Sequence, residues 1–261
     1  MNCLIETALL THGLRSIANE ELAQSWHCPD AILAWVDGGK LKLGPIGEYL
    51  PFRERSEELI RIDCDHLEEA LQTGASGALT ASGTMAVCRR LDIPMAITCG
   101  MGGIGDLRGE ELCPDLPALM NIPVALISTS PKDMLDRPAT LDWLRRHGVH
   151  TAGEPCTGYL FCGEPVALEF PLSSCNNETA VRRLTANGGL LILNPIPEKE
   201  RVQDRSILVD AIKAGKQAEA EGHYYHPAAN GEIDRRTDGY SSRIQLESIQ
   251  QNYLLAKSIM D

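Results

Sequence analysis

The chain has 261 residues, 43% of them hydrophobic, and a formal charge of −12 from 36 acidic and 24 basic side chains. That length can bury one continuous core, so a single domain over residues 1–261 is expected. The acidic residues, spread from Glu48 to Glu247, repel a nucleic-acid backbone, no apolar run approaches the roughly 20 residues of a membrane span, and no basic cluster leads into an apolar leader. Nucleic-acid polymers and membranes are thereby excluded as partners, and a cytoplasmic protein acting on a small molecule is expected.

In chain order, short apolar runs at Cys3 to Leu10, Ala31 to Val36, Leu59 to Ile62, Ala78 to Ala81, Met95 to Thr98, Val124 to Ser128 and Leu190 to Leu193 read as buried strands. Helical patterns fall between and after them: His66 to Thr73, Thr140 to His147 ending at Gly148, Arg205 to Glu221 with Gly215 as a weak point, and Ile244 to Met260. The alternation predicts an α/β fold, an α/β/α sandwich around a central mixed sheet. Gly222 to Ser242 shows no period and reads as a long loop of the kind that often covers an active site. The nine cysteines form no Cys-x-x-Cys pair, which argues against a zinc ribbon or a thioredoxin motif and for reduced thiols, most of them small core residues.

Several residues are placed for chemistry. Glu6 is the one carboxylate in the apolar Cys3 to Leu10 run, where an unpaired charge is costly and burial would raise its pKa toward that of a general acid. On its residues alone, a glutamate at the strand end facing water fits as well. Ser76 to Thr84 offers hydroxyls and glycines near a strand end, suited to a phosphate. Gly100 to Gly105 satisfies G-x-G-x-x-G, but Pro114 and Pro117 interrupt the helix and no acidic residue ends the next strand, so a tight glycine turn is expected rather than a dinucleotide site. Glu110, Glu111 and Asp115 form an acidic cluster suited to Mn2+ or Mg2+, or simply a solvated loop. Lys132 lies just past the carboxyl end of a buried strand, where ligands collect in open sheets. There a desolvated amine could attack a carbonyl carbon, and a solvated lysine at a helix start is the alternative.

Taken in order, these segments resemble the pseudouridine-5'-phosphate glycosidase family, also called the indigoidine synthase A-like family. Glu6-Thr-Ala-Leu-Leu-Thr-His-Gly is similar to its E-S-T-I-I-S-H-G, Gly77 to Thr84 to G-A-T-T-V-A-S-T, and Met101 to Gly109 to its glycine turn ending in R-G. Gly188 to Glu198 is similar to G-G-L-V-V-A-N-P-I-P-E, and Ile244-Gln-Leu to the end of N-I-Q-L. The resemblance implies a homotrimer that uses Mn2+ or Mg2+ and breaks, reversibly, the carbon-carbon bond between uracil and ribose 5-phosphate. It places the nucleophile on Lys132 and the general acid on Glu6, so that Glu6 protonates the ring oxygen or the base and Lys132 attacks C1' to give an iminium. It also implies substrate contacts at Arg61, Thr80, Ala81, Cys113, Pro114, Asp115 and Arg243.

The departures cluster on one side of that site. Arg61 stands for a lysine, Leu107 for a histidine, and Arg243 for the asparagine expected to read the base. The segment between Gly109 and Asp115 is shorter than the family's, so the metal ligand falls on Glu111 when the gap precedes it and on Asp115 otherwise. Groups for the sugar and the covalent step are kept while those near the base are changed. The expectation is therefore a C-glycosynthase joining ribose 5-phosphate to another nucleobase-like aglycone. Ordinary pseudouridine 5'-phosphate breakdown, an inactive sugar-phosphate binder and an unrelated Schiff-base aldolase are the competing readings.

Overall fold

A computed structural model describes residues 1–105, 113–222 and 225–261. The strands are β1 (Cys3–Ile5), β2 (Leu33–Asp37), β3 (Lys40–Gly44), β4 (Ile60–Ile62), β5 (Gly77–Leu79), β6 (Met95–Ile97), β7 (Gly100–Met101), β8 (Ala125–Ser128), β9 (Ser130–Pro131), β10 (His150–Gly153) and β11 (Leu190–Leu193). The helices are α1 (Asn19–Ser25), α2 (Ile46–Arg53), α3 (Leu67–Thr73), α4 (Ala81–Arg90), α5 (Asp115–Asn121), α6 (Arg137–Arg146), α7 (Glu178–Leu184), α8 (Ser206–Ala220), α9 (Tyr225–Arg236) and α10 (Tyr240–Met260).

The main sheet runs β10-β11-β8-β6-β1-β2-β5-β4, with β3 beside β2, and β7 pairs with β9 in a small second sheet. Its pairings are parallel except β2 with β3 and β2 with β5, so the sheet is mixed and turns at β2. Because successive side chains of a strand point to opposite faces, each central strand feeds two cores. Ile5, Trp35, Ile97, Ile127 and Ile192 pack on the face covered by α1, α2, α7, α8, α9 and α10. Leu4, Val36, Ala96, Leu126 and Leu191 pack on the face covered by α3, α4, α5 and α6. Strands buried on both faces need to be apolar throughout, which is why they read as short unbroken runs. The result is the expected sandwich.

Three expectations change. The run from Cys3 to Leu10 is a strand only to Ile5, and Leu9–Gly13 forms a short π-helix. A continuous apolar run carries no period that would separate the two. Gly222 to Ser242 is not a loop across its described part. Helix α9 runs through it and buries Tyr225, Ala229 and Ile233, one residue per turn, with Gly215 of α8 left bare so that the Tyr225 ring fits 2.7 Å from where a Cβ would stand. A stripe that narrow, among polar neighbours, gives little amphipathic signal. Finally, Gly100 and Met101 form β7 rather than a turn. Their glycines serve close packing: a Cβ on Gly100 would lie 2.6 Å from the Tyr159 ring and one on Gly102 would lie 2.0 Å from Cys113 Sγ.

Candidate active site

The parallel strands β1, β6 and β8 end side by side, and the residues just past them form the site. Glu6 follows β1, with its amide on the Ile97 carbonyl at 2.9 Å. Next to it Thr7 stitches the place where the sheet turns, since its hydroxyl donates to the Ala34 carbonyl at 2.8 Å and accepts from the Leu79 amide at 3.0 Å. Thr98 follows β6 and donates its hydroxyl to Glu6 Oε1 at 2.7 Å. Lys132 follows β8 and β9, its amide bound to the Met101 carbonyl at 3.2 Å.

Glu6 is only 6% exposed. Burial, with a smaller push from Asp115, drives its carboxyl up to about 7 against the opposing effects of Thr98, Lys132 and Arg61. Lys132 moves the other way. Desolvation and the Arg61 cation lower its ammonium pKa, more than Glu6, Cys113 and Asp115 restore. Glu6, Lys132, Arg61, Cys113 and Asp115 therefore share one electrostatic neighbourhood although they come from four separate stretches of sequence. A carboxyl that holds its proton near neutrality beside an amine that gives its proton up readily is an acid and a nucleophile in their working forms.

The other expected residues fall around this pair. Thr80 is the N-cap of α4, its hydroxyl accepting from the Gly83 amide at 3.3 Å, and Ala81 opens that helix. A Cβ on Gly83 would stand 2.3 Å from the Ile62 carbonyl, so glycine lets the helix start close to β4 and Arg61. Asp115 takes the Ser82 amide on Oδ1 at 3.1 Å and the Gly102 amide on Oδ2 at 2.8 Å, joining the start of α4 to the glycine segment. Pro114 caps α5 and Cys113 is held beside Gly102, its thiol pushed up to about 12 by burial. Arg243 is directed elsewhere: it is exposed and ion-paired to Glu21 at 3.2 Å.

The metal expectation rests on Glu111, which lies outside the described residues, as do Leu107 and Glu110. Asp115 already uses both oxygens as acceptors for backbone amides, and among the described residues no three His, Cys, Asp or Glu side chains gather as a metal-binding set. The described residues thus do not by themselves build the site for Mn2+ or Mg2+.

Sequence reasoning passed over the groups that hold the pair in place. Asp133 accepts the amides of Tyr159, Leu160 and Phe161 at 2.9, 2.7 and 3.0 Å, anchoring that loop beside Lys132. Tyr159 is fully buried and donates to Gln245 Oε1 at 2.9 Å. Asn252 donates to the Thr98 carbonyl at 2.8 Å and to Thr129 Oγ1 at 3.3 Å. The available signal was positional: Thr98 and Thr129 each stand where an apolar run stops, and Asp133 adjoins the lysine.

An α/β sheet protein with a buried acid and a half-buried, desolvated amine at its strand ends is the class these features define. The chain belongs to the indigoidine synthase A-like family, whose profile, described as "Indigoidine synthase A like protein", matches residues 4–260. The pseudouridine-5'-phosphate glycosidase of Petrotoga mobilis is 27% identical over 277 residues, covering 98% of this chain and 89% of the relative. That of Methylobacterium nodulans is 27% identical over 276 residues, covering 98% and 81%. Among solved structures, an indigoidine synthase A-like protein from Thermotoga maritima matches with a TM-score of 0.82 at 21% identity, covering 98% of this chain and 91% of that one. The prealnumycin C-glycosynthase AlnA, solved with ribulose 5-phosphate, matches with a TM-score of 0.78 at 22% identity and the same coverage. At such identities the structural likeness is one of fold.

Proposed function

We propose that this protein forms or cleaves a carbon-carbon glycosidic bond between ribose 5-phosphate and a nucleobase-like aglycone through an imine on Lys132. The observation that carries this reading is the meeting of Glu6 and Lys132 past the ends of β1, β8 and β9, with the Glu6 carboxyl raised to about 7 and the Lys132 ammonium lowered. The names of the relatives at 27% identity supply the bond and the sugar phosphate.

In the cleavage direction Glu6 gives its proton to the ring oxygen while the Lys132 amine attacks C1', so that a C–N bond forms as the ring C–O bond breaks. The nitrogen lone pair then makes the C=N bond, and the electron pair of the carbon-carbon bond leaves on the base carbon, which takes up a proton. Water adds to the iminium and frees ribose 5-phosphate and the amine. Synthesis is the reverse. Arg61 and the first turn of α4, with Thr80 and Ala81, supply cationic and amide donors suited to the phosphate.

We keep three further points as parts of the proposal. They are a divalent Mn2+ or Mg2+ ion held at Glu111, a homotrimeric assembly, and a cytoplasmic setting. Among the described residues no helix is long and apolar enough to cross a membrane. An aglycone other than uracil, and with it a C-glycosynthase, is the first reading because Arg243, in the place expected to read a base, is engaged with Glu21. The names of the glycosidase relatives keep breakdown as the second reading.

The test is reductive trapping. Incubation with ribose 5-phosphate and borohydride followed by peptide mass spectrometry is expected to give one sugar-phosphate adduct on Lys132, absent in Lys132→Met. A protein that binds ribose 5-phosphate without any adduct would be a sugar-phosphate binder, and the enzymatic reading would be withdrawn.

A further inference from the structure

Glu6 has two carboxyl oxygens, and the fold treats them differently. Oε1 accepts the Thr98 hydroxyl at 2.7 Å. An oxygen that accepts a hydrogen bond from a neighbouring donor is the poorer place for the acid's own proton, so that proton resides on Oε2. Thr98 is fully buried and its backbone is fixed on both sides: its amide donates to the Ile127 carbonyl at 2.9 Å and its carbonyl accepts from Asn252 Nδ2 at 2.8 Å. Asn252, on α10, is buried too. It also donates to Thr129 Oγ1 at 3.3 Å and accepts from Asn194 Nδ2 at 3.0 Å on Oδ1. One side chain of α10 thereby ties the end of β6, which carries the partner of the acid, to the end of β8, which leads to the nucleophile.

We propose that Thr98 is a positioning residue for the reaction: its hydroxyl, held in register by Asn252, orients the Glu6 carboxyl so that the transferable proton faces Lys132 and the sugar. The inference rests on the lysine-imine reading above. Charged and titratable groups that interact with Glu6 are Lys132, Arg61 and Asp115 and the buried Tyr49, Cys99 and Tyr159. Among the described residues, Thr98 is the side chain that hydrogen-bonds the carboxyl itself.

Ribose 5-phosphate alone reports on this role. Its ring opens when a proton reaches the ring oxygen and the C1 hydroxyl loses one. The resulting aldehyde then takes the Lys132 amine and releases water, and borohydride reduces the iminium to a stable secondary amine. Thr98→Val keeps the shape and removes the hydroxyl, whereas Thr98→Ser keeps the hydroxyl and removes a methyl. The rate constant for adduct formation at saturating sugar phosphate is expected to fall about tenfold in Thr98→Val, as for one lost hydrogen bond to a charged or acidic group. The half-saturating sugar concentration should stay unchanged, and Thr98→Ser should remain within about twofold of the parent.

A Thr98→Val rate equal to the parent's overturns the proposal. So does a Thr98→Ser variant as slow as Thr98→Val, since that would make the methyl contact the determinant. Infrared difference spectra separate this inference from the one it rests on. The C=O stretch of protonated Glu6, identified by its loss in Glu6→Gln, should move to higher frequency in Thr98→Val whether or not Lys132 forms an adduct. No movement overturns the orienting role, while a shifted band with no adduct in the parent removes the imine reading and leaves the hydrogen bond standing.

Discussion

Glu6 keeps its place at the end of β1 although burial works against its charge. Its carboxyl titrates near 7 in the folded chain and near 4.5 when unfolded, so between those values the folded state holds more protons than the unfolded one, and stability falls as pH rises. The stabilisation is fully present below about pH 4.5 and lost by passage through 7. A shift of that size corresponds to about 3 kcal/mol. Glu6→Gln keeps an oxygen to accept from Thr98 and removes the charge. It should raise Tm by about 5–10 °C at pH 8 and hardly change it at pH 5, while abolishing turnover. Melting curves at both values check this; an equal rise at pH 5 and pH 8 would show that the ionised carboxylate is not penalised in the fold. The raised pKa was foreseeable from a lone carboxylate in an apolar run. Its partner was not, since a threonine ending a strand is indistinguishable in sequence from one facing water.

At the scale of elements, the central strands and helices α3, α6, α8 and α10 were legible because burial on two faces leaves unbroken apolar runs and burial on one leaves a helical period. Strand β3, with exposed Lys40 and Lys42 alternating with Leu41 and Leu43, was missed for want of a long run. Helix α9 was missed because, among the described side chains, Tyr225, Ala229 and Ile233 are the ones buried in the core. The loop after β10 was opaque for a different reason: part of its order comes from one distant side chain. Asp133 is adjacent to Lys132 and takes three consecutive amides from Tyr159 to Phe161, at the expense of burial that raises its own pKa. In Asp133→Asn, an amide nitrogen must face one of those donors. The substitution should cost about 1–3 kcal/mol and speed hydrogen exchange at Tyr159, Leu160 and Phe161. Exchange unchanged at those three amides would mean that the loop is held by its other contacts.

The whole molecule divides into a half that sequence order reveals and a half that it does not. Glu6, Arg61, the first turn of α4 and Lys132 could be ordered along the chain because each sits in a short segment with its own residue pattern, and the fold brings them to one end of the sheet. The side proposed to face the aglycone depends on contacts between distant segments. Arg243 of α10 turns to Glu21 of α1, an arrangement no local pattern foretells, and residues 106–112 lie outside the described parts. A cation held by a carboxylate offers a neutral pyrimidine no matched donor and acceptor pair, and a site built to hydrogen-bond one ring discriminates strongly against another. With ribose 5-phosphate, Mn2+ and uracil, the protein is therefore expected to form the Lys132 adduct in full and to make pseudouridine 5'-phosphate at least about 100-fold more slowly than the adduct forms, read by chromatography beside the trapping assay. Replacing Arg243 by Asn should raise the uracil rate if this side sets the partner. Rapid pseudouridine 5'-phosphate formation by the parent protein would instead return it to the reaction named for its glycosidase relatives and retire the idea of a changed aglycone.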